Sequence, residues 1–147
     1  YALDITALRY FTVYGPAGRP DMSPFRFIKW IAEGEPGVIY GDGSQERDFT
    51  YVENAIQANL LACTTDAAAV SGEVFNVGCG ERISVNRSWA AIREATDAEV
   101  EAVSGPPRGG DVRDSLASMD KIRAHMGYEV TVSLVEGLRR TVAWLGQ

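Results

Sequence analysis

Apolar residues recur along this chain with two periods, and the switches between them divide it into strands and helices. From Ile5 to Tyr14 the run ITALRYFTVY is rich in β-branched and aromatic residues and closes at Gly15-Pro16, which predicts a buried strand. Gly15–Met22 carries two Gly and two Pro and predicts an irregular loop. Ser23-Pro24 then opens a helix, because a serine oxygen accepts orphan N–H bonds and proline suits the first turn. Its apolar face is Phe25, Ile28 and Ile31 with Phe27 alongside; Arg26, Lys29 and Glu33 face water, and Gly34 is the stop. A short strand over Gly37–Tyr40 precedes a Gly41-Asp42-Gly43 turn. Thr50 with Glu53 forms a capping box, and Val52, Ile56, Asn59, Leu60 and Cys63 follow at helical spacing. Glu73–Val77 predicts a second buried strand, closed by Gly78-Cys79-Gly80. Ser84 starts a helix through Trp89 and Ile92, with Asn86 helping to cap it. Glu99–Val103 predicts a strand, Pro106–Asp111 a loop, and Ser118 the start of a helix ending at Gly127. Ser133 with Glu136 caps the last helix, whose inner face is Leu134, Leu138, Thr141, Val142 and Leu145.

The interleaving of strands and helices, with no internal repeat or linker, predicts a mixed α/β fold in one domain over residues 1–147. A chain of 147 residues can bury its own core. Composition narrows the partners. A net charge of −6 with 14 dispersed Lys and Arg argues against nucleic acid, which needs clustered cations. No apolar run reaches the roughly 18 residues of a membrane span, so no membrane partner is expected. The opening YALDITALRY has no signal-peptide pattern. Two cysteines in no close-spaced motif suggest a reducing, cytoplasmic setting, and a sole histidine, His125, argues against a histidine metal site.

Three polar clusters interrupt the pattern. TVYGPAGRPDM follows a strand of what should be a parallel sheet, where ligands bind beyond the carboxyl ends. Thr12 offers a hydroxyl there, and Arg19 a fork for a carboxylate or phosphate; alternatively Arg19 pins its loop to Asp21 or Asp42. In IYGDGSQERDF, Tyr40 can present its ring to a flat base and Arg47 can meet a pyrophosphate. The plainer alternatives are a half-buried core aromatic and an Arg47-Asp48 surface pair, with Asp48 and Phe49 structural. PPRGGDVR supplies Arg108 and Asp111, while Arg113 either closes the same site or bridges to Asp111 or Asp114. FNVGCG is structural: a dinucleotide fingerprint needs a third glycine where Ile83 stands. Cys63 is expected as a core residue on a helix's inner face, Trp30, Trp89 and Trp144 as packing, and Glu33, Glu35, Glu99 and Glu101 as surface.

Taken in order, these clusters resemble the extended short-chain dehydrogenase/reductase family, the NAD-dependent nucleotide-sugar epimerases and dehydratases. The Thr12 and GRPDM pairing looks like the UDP-glucuronate 4-epimerase branch. The resemblance implies the C-terminal, substrate-binding portion of an extended Rossmann-type epimerase, with the last strands of the parallel sheet and no N-terminal cofactor half. It implies a UDP-sugar ligand: Tyr40 near the uracil, Arg47 and Arg108 on the phosphates, Asp111 on the ribose hydroxyls, and Arg19 by a uronic carboxylate. The family's G-x-x-G-x-x-G does not occur in these 147 residues. No tyrosine is followed four residues later by lysine. The expectation is therefore that NAD serves the full-length family but is not bound by this chain alone, which is catalytically incomplete. The chain should then associate with itself or with another chain that supplies the missing half.

Overall fold

A computed structural model describes residues 3–146; Tyr1, at the head of the expected opening segment, lies outside them. Strands β1 (Ala7–Tyr10), β2 (Thr12–Tyr14) and β3 (Gly37–Tyr40) come early, with helix α1 (Ser23–Glu33) between the last two. They are followed by β4 (Glu46–Arg47), β5 (Phe49–Tyr51), α2 (Val52–Thr64), α3 (Ala67–Val70), β6 (Val74–Val77) and β7 (Ile83–Ser84). Helix α4 (Val85–Thr96), strand β8 (Ala102–Gly105) and helices α5 (Asp120–Met126) and α6 (Leu134–Leu145) complete the chain. Three parallel ladders, β1–β6, β2–β5 and β3–β8, carry the fold, with one antiparallel pair, β4–β7.

The single strand expected over Ile5–Tyr14 is two. At Phe11 the backbone N–H still donates to Val77 O, but the next N–H, of Thr12, donates to Asp48 O, so the chain leaves β6 and joins β5. The first of the two strands is not buried: Ala7, Arg9 and Tyr10 are exposed. The strand expected at Glu99–Val103 lies later, at Ala102–Gly105, where it keeps parallel register with β3 from Gly37↔Ala102 to Tyr40↔Gly105.

Two cores form on these ladders. Helices α1, α4 and α6 enclose Tyr14, Phe27, Phe49, Trp89, Ile92 and Leu138. A second core under α5 gathers Phe75, Val77, Met119, Ile122 and Tyr128. The apolar face of α1 is Pro24, Phe27, Ile28 and Ile31; Phe25 is only half-buried, and Met22 rather than Ser23 holds the cap position. Helix α2 departs furthest from expectation. No side chain caps it, Thr50 is buried in β5, and Glu53 turns instead to Arg140. Its buried side is Asn54, Ala55 and Ala58, while Ile56, Leu60 and Cys63 are exposed. Small residues and one amide allow α2 to sit close to β1, β2 and β5, which turns its bulky residues outward. Ser84 and Ser133 cap α4 and α6 as expected, accepting from the N–H of Arg87 and Glu136. Asn86 does not cap α4; its amide reaches back to Asp42 O. Met119, not Ser118, precedes α5, and Gly127 ends it in the left-handed region.

Asp48 joins the pieces. Fully buried, its carboxylate accepts from the N–H of Cys79 (2.7 Å), Gly80 (2.9 Å) and Ala117 (3.2 Å). A Cβ on Gly78 would fall 2.6 Å from that carboxylate, so glycine there is what lets Asp48 close the loop. FNVGCG is thus structural, and its glycine turn is filled by the protein's own carboxylate.

Candidate functional site

Tyr40 ends β3 and Gly105 ends its partner β8, so the Gly41–Gln45 and Pro106–Asp111 segments leave the same edge side by side. Between them and the start of α1 lies a cleft of about 150 Å³, lined by Arg26, Trp30, Tyr40, Arg47, Arg108 and Asp111 among others. A wider, shallower depression of about 640 Å³ continues over Tyr40 towards Arg108, Asp111 and Arg113.

Four of the six expected site residues meet here. The Arg108 guanidinium stacks on Tyr40 with its carbon 3.7 Å from the ring centroid, and Arg26 approaches the same ring at 5.7 Å. Arg108, and after it Arg26, holds the Tyr40 phenol below its ordinary value of 10.0. Gln45 fixes the strand end by donating to Tyr40 O at 2.9 Å. Arg47 is a fixed group: Nη1 donates to Glu46 O (2.7 Å) and Arg113 O (3.2 Å), and Nη2 bonds Asp111. The pair is charge-assisted, with Arg47 half-buried and Asp111 open to solvent. It is formed with Asp111 rather than with the neighbouring Asp48, whose carboxylate points inward.

Thr12 stands apart from the cleft but not from Arg47. It lines a separate groove of about 450 Å³ with Arg9, Arg47 and Asp111, so the Arg47–Asp111 pair is the wall common to both spaces. Arg19 is not brought in. It is exposed and bonds Asp21 through Nε (3.1 Å) and Nη2, the plainer of the two alternatives its sequence allows, and only Asp21 reaches the cleft. Arg113 makes no ion pair with Asp111 or Asp114 among the described residues; its carbonyl holds Arg47 and its side chain faces the shallow depression.

One member of the cleft escaped the sequence reading. Helical spacing assigns Arg26 to water, yet it lines the cleft 4.5 Å over the Trp30 ring; Trp30 packs against the core as expected and also lines the cleft. Their i, i+4 spacing was the available signal. Of the other tryptophans, Trp89 is buried against Gly37, and Trp144 is 39% exposed rather than packed. The described residues hold no group of three or more metal-ligating side chains and no helix long and apolar enough to cross a membrane.

Strand-end loops that gather aromatic rings and guanidiniums beside a parallel ladder define an α/β protein with a candidate site at the carboxyl edge of the sheet. Comparison gives that class a family. Residues 1–78 match the NAD dependent epimerase/dehydratase family. A UDP-glucuronate 4-epimerase of Thermodesulfobacterium geofontis is 40% identical over 145 residues, which cover 98% of this chain and 44% of that relative. UDP-glucuronate 4-epimerase 5 of Arabidopsis thaliana is 33% identical over 158 residues, covering 98% and 36%. Among solved structures, UDP-glucose 4-epimerase of Thermotoga maritima, crystallised with UDP-glucose, superposes with a TM-score of 0.93 at 39% identity. It is matched over 99% of this chain and 47% of its own. UDP-glucuronic acid 4-epimerase of Bacillus cereus, with UDP-glucuronic acid and NAD, gives 0.92 at 34%, covering 99% and 46%. This chain belongs to the NAD dependent epimerase/dehydratase family and has the fold of roughly the latter half of its Rossmann-type members. It spans about half the length of the curated relatives it matches.

Proposed function

We propose that these 147 residues form the UDP-sugar-binding portion of an NAD-dependent epimerase/dehydratase-like protein and are catalytically incomplete alone. The observation that carries this is the convergence of Tyr40, Arg47, Arg108 and Asp111, from three separate segments, on one cleft. An aromatic face suits a base, with stacking worth about 1–3 kcal/mol, and two guanidiniums offset a diphosphate. Asp111 is an acceptor for a ribose diol once Arg47 releases it. The relatives named above are UDP-sugar epimerases, which supports uridine as the base and a sugar such as glucuronate beyond the diphosphate. The sugar then extends towards the groove at Thr12, and Arg19 meets a uronic carboxylate by exchanging Asp21 for it. Every step of sugar oxidation and return belongs to a nicotinamide and a tyrosine base that the residues of this chain do not supply.

A second reading gains from one observation. Leu3, Ile5, Tyr10, Ile56 and Leu60 expose apolar surface on and around β1 and α2. Such a face favours a working enzyme completed by another chain, or self-association of this one.

Calorimetric titration with UDP tests the binding role. Alanine at Arg47 or Arg108 is expected to weaken UDP by about tenfold or more, the scale of one lost charge-assisted contact, without unfolding the chain. Unchanged affinity in both variants, or no binding to the parent chain, transfers the assignment to an interaction module that keeps the fold and has lost its ligand.

A further inference from the structure

Arg47 and Asp48 are neighbours in sequence that face opposite ways, the first lining the cleft and the second fully buried, and both hold one distant segment. That segment leaves β8 at Gly105 and carries Arg108, Asp111 and Arg113 into the site. On the way Gly109 and Gly110 cross open space, with nothing within 4 Å of a Cβ placed on either. It is caught again beside residues 46–48. Glu46 N–H donates to Arg113 O (2.8 Å), Ser115 N–H to Glu46 O (3.2 Å), and Ala117 N–H to the Asp48 carboxylate (3.2 Å). These ties run from exposed Arg113 to buried Ala117, so the Asp48 end is the one shielded from water. Asp48 also reaches the other space: its backbone O accepts from Thr12 N–H (3.1 Å), where the chain passes from β1 to β2.

The geometry points to Asp48 as the positioning residue for Arg47, an inference that rests on the UDP-sugar reading above. Asp48 lines neither the cleft nor the Thr12 groove and acts through what it ties. When a diphosphate takes the place of Asp111, Arg47 keeps its bonds to Glu46 O and Arg113 O. The first comes from its own neighbour. The second crosses to the segment, and it aims the guanidinium only while Arg113 stays in register with Glu46. That register ends on Asp48. Its carboxylate suits the task because both oxygens only accept: Oδ1 takes the Cys79 N–H, and Oδ2 takes those of Gly80 and Ala117. An asparagine amide has the same shape but one acceptor oxygen, and whichever way it turns, its NH2 group meets a backbone N–H. Loss of the anchor lets the segment shift, so that Arg47 is present but no longer aimed.

The test is a calorimetric cycle with UDP on the 147-residue chain, R47A, D48N and R47A/D48N, each confirmed as folded by its thermal transition, joined to amide exchange on the parent chain. D48N is expected to weaken UDP by about tenfold. R47A should cost far less in the D48N background than in the parent, since a guanidinium already out of place has little left to lose. A purely structural Asp48 would leave the factor for R47A unchanged, which overturns the inference, as does a D48N that binds UDP like the parent. Should D48N fail to fold, exchange decides. Coupling is reciprocal, so UDP must slow the Ala117 amide more than those of α6, which report global stabilisation alone. Equal slowing at both overturns the assignment. A parent chain that does not bind UDP overturns the UDP-sugar reading itself, and with it this one.

Discussion

A buried carboxylate with three backbone donors concentrates more consequence in Asp48 than in any cleft residue. Removing it strands the N–H groups of Cys79, Gly80 and Ala117 in the interior, at about 1–3 kcal/mol for each group left unsatisfied. We expect D48A to lose on the order of 3 kcal/mol or more in urea denaturation. G78A should lose about 1–3 kcal/mol through the same contact from the other side. A near-neutral D48A would show that the loop has other ways to satisfy its amides. In the cleft, the Tyr40 phenol is held below its ordinary value by Arg108, while burial raises those of Tyr14 and Tyr128. Ultraviolet titration should therefore find Tyr40 ionising ahead of Tyr14 and Tyr128. R108Q should move that first transition to higher pH, and Y40F should remove it. At the last helix, Arg139 and then Arg140 lower the Glu136 carboxyl from 4.5 to about 2. A depressed carboxyl stabilises fully above its unfolded value and loses that contribution as pH falls through the folded one. Comparing E136Q with the parent chain, the difference in stability should shrink between pH 4.5 and about 2 and stay constant above that window. Because Glu136 is exposed, the effect should also fall with added salt.

Elements that announce themselves by local chemistry were legible in the sequence; those fixed by what packs on them were not. Ser84, Ser133 and Gly127 mark helix ends through a side-chain oxygen or a left-handed glycine, and each does so here. Helix α2 misled because its inward face was set by closeness to three strands, so Asn54 and Ala58 went inside and Ile56 and Leu60 outside. Asn54 holds the entry to α6, accepting from the N–H of Thr131 and Val132 and donating to Val132 O at 2.8 Å; no local pattern marks such a residue. The division of β1 from β2 was hidden for the same reason, since a change of partner at Phe11 leaves the hydrophobic run unbroken. The cleft was more legible than its scaffold. Tyr40, Arg47, Arg108 and Asp111 were singled out by type and order, whereas Arg26 looked like any charge on a helix's wet side. One element makes a sharp test. Gly137 lies within α6, where alanine would add about 1 kcal/mol by helix propensity. A Cβ there would strike the Tyr14 hydroxyl and the Tyr51 ring, parts of an edge-on aromatic pair with centroids 5.7 Å apart. Overpacking of about 1–3 kcal/mol should win, so G137A is expected to lower the midpoint in urea. A rise would mean the aromatic pair yields easily.

At the scale of the molecule, the described residues present a formed cleft and an uncovered apolar face. The cleft holds its residues against one another, Arg108 on Tyr40 and Arg47 on Asp111, and on the proposed reading a diphosphate would exchange both contacts. The uncovered face, with Ile5 60% and Leu60 62% exposed, predicts association that grows with concentration in light scattering. The double variant I56S/L60S should reduce it, and a strictly monomeric parent chain at high concentration would contradict it. The central claim is that the nucleotide-sugar site is already formed in these residues. Its most direct test is thermal unfolding against UDP, UDP-glucuronate, UDP-glucose, dTDP and NAD. A ligand at about 100 times its dissociation constant adds roughly 2.7 kcal/mol, several degrees for a domain of this size. The account predicts such a shift with the UDP compounds, largest with UDP-glucuronate, and none with NAD. No shift with any uridine compound would contradict it.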